Sequence, residues 1–217
     1  MKHYSSSSEL PGKLPLFPLA GALLLPRADL PLNIFEPRYL TMMDEAMSGE
    51  RMIGMIQPRP GDGAEKPSLL RIGCAGRITS YSETGDGRIM VSLAGICRFE
   101  LLEELSVATP YRQALVNFGN FAADLVGGEG ARAVDRPALI KAFRQYLEAN
   151  SMSANWQEVE QVSTEALVNT LSQLAPYAAP EKQALLEALD LRMRADMLIA
   201  LTELALSGAA GQRSRLQ

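Results

Sequence analysis

One histidine, two cysteines and five lysines among 217 residues leave little material for most catalytic chemistries. His3 sits in a polar leader beside the run Ser5 to Ser8, a segment expected to be mobile. His-based triads and His-rich metal sites are therefore excluded. Lys2, Lys13, Lys66, Lys141 and Lys182 read as terminus, loop or solvated helix face. None follows a nucleophile-type turn, which argues against a Ser–Lys hydrolase. Cys74 and Cys97 are too few for a disulfide framework or the usual zinc site. In strand-like surroundings they read as reduced, small, partly buried hydrophobes, since a redox pair would need neighbouring strands with suitable Cβ directions. A phosphate-cradling G-x-x-x-x-G-K-[ST] loop is missing too; the cluster Gly127 to Gly130 has neither the lysine nor a preceding strand. No catalytic, cofactor-binding or metal-ligating residue is assigned.

Charge of one sign is equally scarce. The net charge is −4 and is spread along the chain: 12 Lys and Arg against 13 Asp and Glu up to Asn120, then 9 against 12. Neither half has the basic excess that a phosphate backbone demands, so nucleic acid is disfavoured as a partner. No apolar run reaches the roughly 20 residues of a membrane span. Ala20-Gly21-Ala22 has the small-residue look of a signal-peptidase site, but Pro15 and Pro18 interrupt the apolar stretch before it and the hydrophobic pattern runs on past it. A cytoplasmic protein that neither enters nor crosses a membrane is the expectation.

What is there is an ordinary globular balance, 47% hydrophobic and 21% charged residues. From Leu14 to about Phe118 the text reads as short strands and turns. Extended segments are expected at Leu23–Leu25 and Leu30–Phe35, where each proline biases its predecessor away from helix. A helix is expected over Pro37–Met47, with Pro37 in its first turn and Gly49 ending it. Strands are expected at Met52–Gln57, Leu69–Ser80, Ile89–Leu93, Cys97–Leu102 and Arg112–Phe118, and Gly85-Asp86-Gly87 suits a hairpin turn. Pro58 to Pro67 is a surface loop by composition. Residues 121–134, glycine-rich and without period, read as a linker. Beyond them the pattern is helical: one helix capped by Asp135, one over Ser163–Ala175, one from Pro180, and one from near Asp190 to Leu206 stopped by Gly208. The expected organisation is a leader over 1–12, a β-rich domain over 13–120, the linker, a helical bundle over 135–208, and a frayed tail over 209–217. The fold class is α+β.

Two features invite a functional reading. The carboxylate pairs Asp44-Glu45 and Glu103-Glu104 could in principle divide acid and base roles, but adjacent residues point different ways, and solvated surface is the simpler account. Met42, Met43, Met47, Met52 and Met55 fall within fourteen residues, and methionine suits surfaces that accept varied partners. Leu40, Met43 and Met47 share one helix face and read as core. Met42 lies with Tyr39 on the neighbouring face and is the better candidate for exposure. Tyr39, Met42, Met52 and Met55 are accordingly the candidate partner-binding residues.

The motifs LPLFPL (Leu14 to Leu19), LLLP (Leu23 to Pro26) and PLNIFEPRY (Pro31 to Tyr39) resemble the N-terminal domain of Lon proteases, a domain found also in stand-alone bacterial proteins. The likeness continues through IGMI (Ile53 to Ile56), IGCAGRI (Ile72 to Ile78), DGRIMVSLAGICRF (Asp86 to Phe99) and the segment Glu181 to Leu198, so it spans roughly residues 12 to 206. The resemblance implies a LON/PUA-like pseudobarrel carrying one helix, followed by a helical bundle, and a role in engaging substrate polypeptides. The sequence ends before the ATPase module and the Ser–Lys protease domain of full-length Lon could begin. A non-enzymatic module that binds polypeptide segments or a protein partner, without ATPase, protease or cofactor, is therefore expected. A small-molecule or RNA-binding pseudobarrel is the alternative, and a cryptic hydrolase comes last. Locally, Pro37 starts a helix, Glu36 favours its N-terminus, Phe35 and Tyr39 pack, and Arg38 pairs with an acid.

Overall fold

A computed structural model describes residues 4–61 and 66–214, with side chains through Ser207. His3, Lys2 and residues 62–65 of the proline-flanked loop lie outside the described residues. The chain divides into two compact units: 1–127 with 176–186, and 128–175 with 187–217.

The first unit is a six-stranded mixed sheet with one α-helix inserted early. Its elements are β1 (Lys13–Pro18), β2 (Asp29–Ile34), α1 (Pro37–Ser48), β3 (Met52–Ile56), β4 (Ile72–Glu83), β5 (Ile89–Glu104) and β6 (Arg112–Asn117). The strand order is β2-β5-β4-β3-β1-β6, and β6 pairs again with the last residues of β5. Neighbours thus follow one another round a ring, with β2 added outside the first half of β5: a pseudobarrel, not a closed barrel. β1 and β3 are parallel, and the other pairings are antiparallel. The middle of the ring reads as continuous apolar text because it is covered on both faces; all five residues of β3 are buried.

The separate strands expected at Ile89–Leu93 and Cys97–Leu102 are one sixteen-residue strand, β5. Gly95 explains how it continues past its bend. The Leu25 carbonyl oxygen would lie 2.0 Å from a Cβ at position 95, so only glycine lets that loop cross the strand. Gly95 N–H also donates to Ala28 O at 2.9 Å, and Arg27 N–H donates to Gly95 O at 2.8 Å. The Leu23–Leu25 run is consequently a buried coil and not a strand, its side chains almost fully covered. At Gly73 the close approach comes from the fully buried Phe99 ring, whose Cζ would sit 2.4 Å from an added Cβ. The leader is partly packed: Tyr4 and Leu10 join the core cluster of Leu14, Phe99 and Phe118.

A segment from late in the chain completes this unit. Residues 176–186 lie far beyond β6 in sequence, but they pack with the sheet. Gln57, 2% exposed, accepts from Gly21 N–H at 3.0 Å and donates to Ala179 O at 3.2 Å and Gln183 Oε1 at 3.1 Å. Gln183 Nε2 in turn donates to Ile72 O at 3.1 Å. Buried amides satisfied in this way fix a position that hydrophobic packing alone leaves loose.

The second unit is helical: α2 (Arg136–Ala149), α3 (Trp156–Gln161), α4 (Thr164–Leu174) and α6 (Leu191–Ser214), with α5 (Ala179–Glu187) leading back into it. Asp135 and Ser163 cap α2 and α4 through Ala138 N–H at 2.9 Å and Ala166 N–H at 3.2 Å. Leu139 and Phe143 of α2, Leu167 of α4, and Ala195 and Leu198 of α6 are buried, and α6 packs against α2 and α4. Gly208 does not stop α6, which runs on to Ser214. A helix-interior glycine costs about 1 kcal/mol relative to alanine, a penalty that Ala209 and Ala210 beside it can offset.

Candidate functional site

The four candidate residues are all buried in the first unit: Tyr39 6% exposed, Met42 0%, Met52 3% and Met55 4%. The expected exposure of Met42 is corrected. The inward stripe of α1 is Tyr39, Met42, Met43 and Ala46, while Leu40 and Met47 are only half-buried. Tertiary partners set this rotation. Phe17 of β1 meets the Tyr39 ring edge-on at 4.2 Å, the Tyr81 hydroxyl donates to Asp44 at 3.1 Å, and the Tyr111 hydroxyl donates to Glu45. Asp44 and Glu45, both exposed as expected, therefore each also accept a bond from a tyrosine. Met52 and Met55 lie on β3 between β1 and β4, covered on both faces.

Of the four, Tyr39 lines a hollow. A groove of about 530 Å³ opens beside the N-terminus of α1. Its apolar wall comes from Pro18 at the end of β1, Pro58 and Pro67 at either side of the loop after β3, and Val107 and Pro110 between β5 and β6. Tyr39 and Tyr111 add aromatic surface, and Arg38, Lys66 and Arg112 bring positive charge. A second hollow of about 510 Å³ shares Lys66, Pro67, Leu105, Ser106 and Arg112 with the first, so the two form one trough.

Most of the polar groups along the trough are held. Arg112 donates to both Glu104 oxygens and, at 2.7 Å, to Pro67 O. Lys66 Nζ lies 2.5 Å from the same carboxylate. Burial alone would raise the Glu104 carboxyl, but bonds and charge from Arg112 and Lys66 outweigh it and hold it below its ordinary value. The Tyr111 hydroxyl is pushed up to about 12, by burial first and then by Glu45. Among the described residues Arg38 pairs only with its near neighbour Glu36, at 2.7 Å and half-exposed, while its guanidinium lies over the Tyr39 ring at 4.6 Å. The Tyr39 hydroxyl has no hydrogen-bond partner among the described residues. Burial raises its pKa despite the opposing charge of Arg38. Phe35, expected to pack, is 60% exposed, with Arg88 5.9 Å from its ring centroid.

The titratable interior looks structural. Arg98 and Asp124, with side chains 5% and 9% exposed, form a bidentate pair of 2.9 and 2.8 Å. Arg98 Nη1 also donates to Leu186 O at 3.1 Å, and its guanidinium covers the Phe121 ring at 4.6 Å. The Cys97 thiol beside them is pushed up to about 12, chiefly by burial and then by Asp124. It is protonated at neutral pH and unsuited to nucleophilic attack. Neither Cys74 nor Cys97 is in a disulfide, and both are buried. Cys97 faces Ala75 across the β4–β5 pair, so Cys74, one residue before Ala75, points to the opposite side. No cluster of three or more metal-ligating side chains occurs among the described residues, nor is any helix there long and apolar enough to cross a membrane.

Sequence reasoning named Tyr39 as a candidate contact but not Arg38, Tyr111, Val107 or the prolines as its companions. Those residues come together from segments as far apart as Pro18 and Tyr111, and nothing local marks them as neighbours.

Three comparisons bear on this geometry. The family described as the ATP-dependent protease La (LON) substrate-binding domain matches residues 13–203. Lon protease of Syntrophus aciditrophicus is 25% identical over 198 residues, covering 86% of this chain and 24% of that protein. Lon protease of Heliobacterium modesticaldum is 28% identical over 193 residues, 86% of this chain and 23% of that protein. The chain thus spans about a quarter of the length of these relatives. Among solved structures, a Lon N-terminal domain protein from Xanthomonas campestris superposes with a TM-score of 0.62 at 22% identity, covering 87% of this chain and 97% of that one. The N-terminal domain of a Mycobacterium avium complex Lon protease gives 0.63 at 16% identity, covering 88% and 98%.

Proposed function

The chain belongs to the LON substrate-binding domain family, and from that premise we propose that it is a recognition module that binds polypeptide segments without acting on them chemically. The observation that carries this reading is the trough beside α1. Prolines and tyrosines give it rigid apolar walls that lose little side-chain entropy on contact. Proline- and aromatic-lined grooves suit extended chain segments, and two joined hollows fit a strand of polypeptide better than a compact small molecule. Met42, Met52 and Met55 have no part in the proposed contact because they offer no surface.

The test is fluorescence anisotropy with a labelled, permanently unfolded polypeptide. Val107 is 40% exposed within the trough, and V107W should fill it with little effect on the fold. The expected result is saturable binding by the parent protein and at least about tenfold weaker binding by V107W, equivalent to about 1.4 kcal/mol. No binding by the parent protein, or equal binding by a folded V107W, would overturn the reading.

A further inference from the structure

We infer that the trough selects polypeptide segments in which an aspartate or glutamate side chain stands next to apolar residues, the carboxylate being held by Arg38 and the Tyr39 hydroxyl. This rests on the polypeptide-binding reading above and names the class of segment. Three observations support it. Tyr39 lines the trough and is 94% covered as a residue, yet its hydroxyl has no partner among the described residues. A donor in that position gains a charge-assisted bond when a carboxylate arrives. Second, among the described residues the first hollow is lined by Arg38, Lys66 and Arg112 and by no carboxylate. Glu104, in the second hollow, is one carboxylate shared between two cations, which leaves positive charge in surplus there. Third, Arg38 is the cation free to change partners. Its pair with Glu36 is half-exposed on both sides, and such pairs contribute little. Arg112, by contrast, is held by both oxygens of Glu104 and by Pro67 O.

The ligand's apolar neighbours would lie on the proline wall while the carboxylate sits over α1's first turn. That division explains why a trough with so much apolar surface also carries cations. It also gives FEPRY a contact role besides its structural one: Pro37 starts the helix, and Arg38 and Tyr39 meet the ligand.

The test uses the whole chain and a pair of labelled peptides acetylated and amidated at their ends, identical apart from one central Glu or Gln between leucines. Capped ends remove the terminal carboxylate, so only the side chain can respond. The expected result is binding of the Glu peptide about tenfold tighter than the Gln peptide, with the preference lost at high salt. Y39F and R38Q should each shrink that preference to about twofold or less, with the melting temperature nearly unchanged. A third peptide with Gln at the centre and a free C-terminal carboxylate should bind no better than the capped Gln peptide; tighter binding would assign the site to chain termini and overturn the inference. Equal affinity for the Glu and Gln peptides would also overturn it while leaving polypeptide binding intact. Failure of every peptide and of the unfolded polypeptide would sink both readings.

Discussion

Two arginines in the first unit do opposite things with the same chemical group. Arg98 has every guanidinium nitrogen committed, to Asp124 and to Leu186 O, under the Phe121 ring. Arg38 lies half-exposed over Tyr39 and, among the described residues, pairs only with Glu36 two residues away. A buried charge survives only with its partners complete, and removing one leaves the other stranded. An exposed charge beside an unbonded hydroxyl has capacity to spare. Arg98 therefore ties together strand, loop and helix, whereas Arg38 is placed to meet something from outside. Saturation of the hydrogen-bonding groups, more than charge, separates the two.

This contrast breaks first, and hardest, at the buried pair. Asp124→Ala should cost about 3–5 kcal/mol because it strands Arg98, read as a lower urea midpoint at unchanged slope. The double variant R98M/D124L should recover much of that loss, since two apolar groups replace two charges. A single variant no less stable than the parent would end the distinction between the two arginines.

An intermediate case lies along the trough. Glu104 has its carboxyl held below the ordinary value, so its contribution is present above about pH 4.5 and is lost as the pH falls through the lower folded value. Glu104→Gln should cost about 1 kcal/mol at pH 7, and the gap should close on acidification. Urea titrations at pH 7 and below pH 4 check the sign: a gap that widens in acid would mean the carboxyl is not held ionised. Smallest of all should be the effects on stability of Arg38→Gln and Tyr39→Phe, each within about 0.5 kcal/mol. Large destabilisation by either would make them structural and collapse the comparison from the other side.

Much of the architecture was legible. The extended Leu30–Phe35 segment, the helix begun by Pro37, β3, β6 and the capped helices α2 and α4 follow from period, proline and cap residues. The misreadings share a cause. Gly95 looked like a break between strands because its missing side chain serves another segment, the Leu25 carbonyl. Met42 looked exposed because Leu40, Met43 and Met47 form the more hydrophobic arc, but Phe17, Tyr81 and Tyr111 turned α1 the other way. Of the residues that line the proposed trough, the sequence analysis had singled out Tyr39 alone as a candidate contact.

By itself, then, the sequence determined the α+β class, the order of most elements, the LON-type motifs and the scarcity of His, Lys and Cys. Each is written in local spacing or in simple counts, and local spacing sets backbone preference before any contact forms. Tertiary structure alone decided that residues 176–186 return to the sheet, that Arg98 finds Asp124, and that Tyr39 lines a trough. Those outcomes depend on which distant groups can satisfy one another when water leaves, a condition that no short window of sequence contains.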